Sequence, residues 1–236
     1  MKQGKCISRA TVFGIGWRLV KCLQTLHQVG WLHLDVNPAN VMIADNLERG
    51  VVLVDFGLSL PIRVTKVCPR SAVNGNDAFV GRHVRNLERE SARDDLEAVG
   101  LTMAWMLLGG TLPWIDYNFE DMKEAIGAPD LPQTLGKQCK SRVLEQYLDA
   151  VRRLGVDEEP KYEELLELLE KEAELCVDKL DWSSHGETMR RKAPSPRKRS
   201  ASSELGQPKP AKRRSSPRVV LEKSLSSTYS ATIKAS

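Results

Sequence analysis

No run of this chain is apolar for long enough to cross a bilayer, and its first residues lack the layout of a signal peptide. A soluble intracellular protein without membrane partners is expected. Cysteine is sparse and scattered: Cys6, Cys22, Cys68, Cys139 and Cys176 are odd in number and never spaced as Cys-x-x-Cys. That argues against a disulfide framework and a zinc site, and for a reducing compartment. Aromatic residues are nearly missing from the C-terminal end, where Tyr229 is the only one past Trp182. Without them, base stacking on single strands is not expected there.

Acidic residues are scarce in the same stretch. Residues 183–236 hold 13 Lys/Arg against 3 Asp/Glu, a net of +10, whereas residues 1–182 hold 22 against 28, a net of −6. The boundary divides an acidic globular part from a tail of Ser, Pro, Lys and Arg. Such a tail cannot bury enough apolar surface to offset its ordering entropy, so it is predicted to be disordered. Its basic clusters, Arg190-Arg191-Lys192, Arg197-Lys198-Arg199 and Lys212-Arg213-Arg214, read as nuclear-import signals for an import receptor. Loose attraction to nucleic-acid phosphates and a merely solubilising role are the alternatives. Nuclear localisation, with some cytoplasmic protein, is the expectation. Ser195-Pro196 and Ser216-Pro217 are candidate targets of proline-directed phosphorylation, which would offset the neighbouring charge.

Before the tail, helical periodicity dominates. Ser8 is placed to cap a helix running to about Gln28, with an apolar stripe of Val12, Ile15, Leu19, Cys22 and Leu26. Gly14 and Gly16 lie inside that pattern with no strand before them, so they are not a phosphate loop. Val41-Met42-Ile43 and Val51 to Val54 read as a hairpin around the turn-forming Asp45-Asn46 to Gly50 segment. Residues 58–92 lack clean periodicity, as a long functional or mobile loop does. A strongly apolar helix follows from about Asp94 to Leu108, with Leu96, Val99, Met103, Met106 and Leu107, and should be central. Further helices are predicted near 119–126, 141–153 and 161–180, the last with Leu165, Leu169, Ala173, Cys176 and Leu180 on one face.

The chemistry sits at one end of the hairpin. His33-Leu34-Asp35-Val36-Asn37-Pro38-Ala39-Asn40 comes just before its first strand and Asp55-Phe56-Gly57 just after its second. Asp35, Asn40 and Asp55 should therefore converge. Each has a plainer reading: Asp35 as a turn former before Pro38, Asp55 as a strand terminator, Asp95 as a partner of Arg93.

As an ordered set, with Ser91-Ala92-Arg93-Asp94-Asp95-Leu96-Glu97, Leu112-Pro113-Trp114 and Glu158-Glu159-Pro160-Lys161-Tyr162, these motifs resemble the C-terminal lobe of protein kinases. The similarity is to the casein kinase 1 group and its vaccinia-related branch, over about residues 9–176. It implies a mainly α kinase large lobe with a short β-hairpin at 9–182, after a stub at 1–8 and before the tail at 183–236. It implies Asp35 as acceptor of the substrate hydroxyl proton and Asn40 and Asp55 as ligands of the magnesium that accompanies ATP. It further implies Asp95 as a brace of the catalytic loop. Asn37 takes the place of the lysine that contacts the transferring phosphate, so an amide dipole replaces a full charge there. Gly75-Asn76 replaces Gly-Thr, Gly81-Arg82-His83 departs from the pattern, and His83 is expected at the surface without a partner. Only about eight residues precede the first helix, so the small nucleotide-binding lobe is expected to be missing, with nucleotide binding weak and an apolar face exposed. Two functions follow from the resemblance: a serine/threonine kinase, inactive or fragmentary as this chain and acting on a protein substrate, or a non-catalytic pseudokinase lobe that binds a nuclear protein partner.

Overall fold

A computed structural model describes residues 7–43, 50–62, 77–86 and 88–175. The predicted hairpin turn at 45–46, Gly75-Asn76, Cys6, Cys68 and the whole basic tail lie outside the described residues. Helix α1 spans Arg9–Gln28, and Ser8 caps it by accepting from Thr11 N–H at 3.2 Å. Among the described residues four short strands follow in two antiparallel pairs. Trp31–Leu32 (β1) pairs with Leu60–Pro61 (β4), and Val41–Ile43 (β2) pairs with Val51–Leu53 (β3), Val41 opposite Leu53. The predicted hairpin is thus present; the β1–β4 pair is too short to leave a periodic signature.

Below the strands lie the helices Arg82–Arg85 (α2), Ala92–Leu107 (α3), Phe119–Gly127 (α4), Leu131–Gln138 (α5), Arg142–Arg152 (α6) and Tyr162–Glu170 (α7). Helix α3 is the central one, with every residue from Arg93 to Ala104 buried. It begins two residues earlier than its apolar pattern, because Asp94 accepts from Ser91 N–H at 2.7 Å and closes a capping box. Helix α5 escaped the sequence analysis because Leu131 and Leu135 are its only large apolar residues and Gly136 interrupts it.

Helix α1 is buried more broadly than one stripe predicts. Phe13, Val20 and Leu23 are buried with Val12, Ile15 and Leu19, while Cys22 and Leu26 are only half-buried. The reason is that α1 packs against α3 on one side and α7 on the other. Its two glycines serve those contacts. A Cβ on Gly16 would strike the Met103 side chain of α3, and one on Gly14 would strike the carbonyl of Glu174.

The last helix is shorter than the predicted 161–180. It ends at Glu170, and the chain turns back along α1, with Glu174 N–H donating to Ala10 O at 2.8 Å. Arg18 donates to the carbonyls of Gly14 and Leu175 at 2.9 and 2.6 Å. The Glu174 N–H and the Leu175 carbonyl thus find partners on α1 and not in a continued helix. Ala173 still packs on the core, whereas Cys176 and Leu180 lie outside the described residues.

Gly14→Ala should lower stability even though alanine favours a helix by about 1 kcal/mol. The clash is with backbone, and overpacking costs about 1–3 kcal/mol. A urea midpoint at or above that of the wild type would show that the close approach is not needed.

Candidate functional site

Three donors converge on the Asp95 side chain near the start of α3. His33 N–H donates to Oδ2 and Leu34 N–H to Oδ1, both at 2.7 Å, and His27 Nε2 donates to Oδ2 at 2.9 Å. A carboxylate only accepts, so the His27 proton toward it is on Nε2. In neutral His27 the other nitrogen, Nδ1, then accepts from the Tyr162 hydroxyl at 2.6 Å. Burial, helped by the nearby Asp95 and Glu159 charges, raises the Tyr162 pKa and keeps that hydroxyl protonated. Asp95 is 1% exposed, so these charge-assisted bonds act where water does not compete. They hold Leu34 at φ 63°, a left-handed conformation that is unfavourable for leucine. Arg93, the alternative partner for Asp95, instead bonds Glu88 at 3.2 Å.

His33 is fully buried and continues the construction toward the hairpin. Its Nδ1 accepts from Asp35 N–H at 3.3 Å, so Nε2 carries the proton and donates to Val54 O at 3.2 Å. Its ring meets Phe56 edge-on, with centroids 5.0 Å apart. Val54 N–H in turn donates to Asn40 O at 2.9 Å. Asp55, the next residue, is therefore tied to Asn40 through one backbone bond.

Asp35, Asn37 and Asn40 form one cluster. Asn37 Nδ2 donates to Asp35 Oδ1 at 2.9 Å, and Asn40 Nδ2 donates to Asp35 Oδ2 at 2.7 Å. Both amides also donate to the Asp35 carbonyl, at 3.1 and 2.9 Å. Asn37 Oδ1 accepts from Ala39 N–H at 2.9 Å and caps the 3-10 turn Pro38–Asn40. Asn37, 4% exposed, is thus turned inward onto the loop, with its amide engaged at both ends. Because Asn40 presents its NH2 to two acceptors, its Oδ1 is the acceptor end of the amide. Asp55 is exposed at φ 65°, with Oδ1 accepting from Gly57 N–H at 3.1 Å. Among the described residues no three His, Cys, Asp or Glu side chains cluster closely enough to hold a metal. A hard cation would rely on the Asn40 and Asp55 oxygens, water and a bound phosphate. That oxygen donor set suits magnesium, which keeps several waters and takes one or two carboxylates.

Several residues of this site gave no sequence signal of their role. His27 lies in α1 and Tyr162 in α7, and their hydrogen-bonding behind Asp95 is not visible in either helical pattern. Glu97 and Arg152 form a buried ion pair at 2.7 Å, and Glu97 also accepts from Arg82 N–H at 3.1 Å. They fix the Gly81-Arg82 segment opposite the loop, and a Cβ on Gly81 would strike Glu97. The expectation for His83 needs correction. It is largely covered, pairs with Glu88 Oε2 at 2.6 Å and accepts from Arg82 Nε at 3.1 Å.

No protein-family model matches the chain. Among curated proteins it is similar to human serine/threonine-protein kinase VRK2, 26% identical over 211 residues that make up 83% of this chain and 41% of that protein. It is also similar to casein kinase I homologs 2 and 3 of Schizosaccharomyces pombe. These are 27% and 29% identical over 181 residues, 71% of this chain and 41% of each relative. The chain spans about two fifths of the length of these curated relatives. A helical lobe with a hairpin-borne Asp-Asn-Asp arrangement and these similarities define the class: the protein is kinase-like. Within it, the chain is similar to VRK2 and the casein kinase I proteins.

Two predictions test this construction. Asp95→Asn presents an NH2 where two N–H donors now find an oxygen, and each buried unpaired donor costs about 1–3 kcal/mol. Urea unfolding should register a loss of about 2–4 kcal/mol, with faster amide exchange at His33 and Leu34; unchanged exchange there would remove Asp95 as the brace. The second concerns Asp94, which is buried with Oδ1 lacking a hydrogen-bond partner. Burial raises its carboxyl pKa from 3.8 to about 7, against the lowering by Ser91 N–H and Arg93 and with further repulsion from Glu97 and Asp95. The folded protein therefore keeps a proton that the unfolded chain releases. This contribution is fully present below pH 3.8 and is lost as pH rises through about 7. Asp94→Asn keeps an acceptor for Ser91 and should flatten that fall in thermal midpoints, whereas parallel pH profiles would contradict it.

Proposed function

We propose that this chain is the catalytic-loop part of a serine/threonine protein-kinase-like protein whose phosphoryl transfer from ATP to a protein hydroxyl is greatly weakened. The observation that carries this reading is the Asp35 carboxylate held between the Asn37 and Asn40 amides, on a loop braced by Asp95. A carboxylate has about four acceptor positions. Two amide donors therefore orient Asp35 and still leave room for a substrate hydroxyl, from which it accepts the proton. Asn40 Oδ1 and Asp55 are the groups to hold magnesium, which would neutralise the triphosphate when bound. Asp95 keeps the loop backbone, and with it Asp35, aimed at the hydroxyl.

What weakens transfer is position 37. A neutral amide committed to Asp35 and Ala39 offers no positive charge to the phosphoryl group in flight. Loss of one preorganised electrostatic contact costs about 10²–10³ in rate. The same inward amide favours a second reading, a pseudokinase lobe that binds a protein partner. In either case the basic clusters from Arg190 to Arg214 are proposed to engage an import receptor and direct the protein to the nucleus, with loose nucleic-acid contact secondary.

The 236-residue chain with magnesium-ATP and a histone should incorporate no phosphate above the background of Asp35→Ala. Robust incorporation abolished by Asp35→Ala would instead make it a working kinase. In a fusion carrying the glycine-rich nucleotide lobe of a casein kinase I relative, Asn37→Lys should raise the rate by about 10²-fold. A fusion left inactive by that change would favour the binding module.

A further inference from the structure

One side of the lobe carries an apolar groove of about 720 Å³ between α1 and β3. Its walls include Trp17, Cys22 and Leu26 of α1, Val51 and Leu53 of β3, and Phe56. Phe56 is 54% exposed, with its ring edge-on to the buried His33. The charged residues lining the groove, Arg18 and Lys21, are both basic. Lys21 also reaches Glu163 at 3.5 Å, on the side toward α7.

The chain is delivered to this groove. Leu175 lines it and is 38% exposed, while its carbonyl is held by Arg18 Nη2 at 2.6 Å and the preceding N–H by Ala10 O. The next seven residues are Cys176-Val177-Asp178-Lys179-Leu180-Asp181-Trp182, the last apolar-rich run before the Ser, Pro, Lys and Arg composition begins. Seven extended residues reach about 23 Å, and the groove wall from Trp17 to Leu26 is about 14 Å of helix. Asp178 and Asp181 complement Arg18 and Lys21.

We propose that residues 176–182 dock in this groove, with Leu180 and Trp182 against Leu26, Leu53 and Phe56 and the two aspartates toward Arg18 and Lys21. The lobe thereby covers this apolar opening, and the docked strand packs against the residue that follows Asp55. The inference does not depend on kinase chemistry, since it follows from reach, composition and charge.

Cys22 lies in the groove wall and reports on its coverage. In the full chain, maleimide labelling followed by peptide mass spectrometry should find Cys22 modified about fivefold or more faster in the Leu180→Asp, Trp182→Asp double variant than in wild type. Trp182→Phe should keep the wild-type rate. Cys139, buried in the core, should stay protected throughout. An unchanged Cys22 rate with Cys139 protected would overturn the proposal. If the double variant exposes Cys139 through unfolding, a photoreactive benzoylphenylalanine in place of Trp182 decides instead. Crosslinks within one chain to Trp17–Leu26 or Val51–Phe56 support the docking. Crosslinks between two chains, or to any other part of the lobe, refute it.

Discussion

A single buried carboxylate holds this lobe's chemistry in place. Asp95 is on the helix at the centre of the core, and its two oxygens take N–H donors from the loop before the hairpin and from α1. Because the charge is out of water, its solvation has to come from those donors, and removing any of them leaves a buried charge undersolvated. That requirement explains why Leu34 tolerates a left-handed backbone. The strain, of order 1–3 kcal/mol, is offset by two short charge-assisted bonds. It also explains why a histidine and a tyrosine from distant helices line up behind the loop.

From Asp95 the order passes outward by contact. His33 links Asp35 to Val54, Val54 links Asn40 to its own neighbour Asp55, and the two asparagine amides set the Asp35 carboxylate. Each of these groups is oriented by a bond to backbone, and backbone here is fixed by the hairpin and the core. The outcome is a well-oriented carboxylate beside a neutral position 37. Such a site retains orientation and lacks charge. A protein that keeps the scaffold of phosphoryl transfer while weakening its electrostatics has this form, and so does one that uses the scaffold to bind. Elsewhere on α1, Gly14 allows the close approach of the returning chain at Glu174.

Much of the architecture was legible in residue order. The α1 cap at Ser8, the Val41–Leu53 pairing and the apolar character of α3 depend on local propensity and periodicity, which a linear pattern records directly. The convergence of Asp35 and Asn40 was legible because only a 3-10 turn separates them. What was illegible depended on partners distant in sequence. The early stop of α7 follows from Arg18 and Ala10 capturing the carbonyl and N–H groups beyond it. The covering of His83 follows from Glu88 and Arg82 closing over it. Helix α5 was hidden by having too few apolar residues to show a period.

By itself, then, the order of residues determined most of the helices, the pairing of one hairpin and the nearness of Asp35 to Asn40, because these are short-range consequences of side-chain shape and polarity. Only the tertiary structure decided what each of those groups does. It turned Asn37 inward, gave Asp95 three donors from two elements, and paired Glu97 with Arg152. The reason is that hydrogen-bond assignment in a dry interior is settled by whichever donors packing brings within reach, and packing joins residues tens of positions apart.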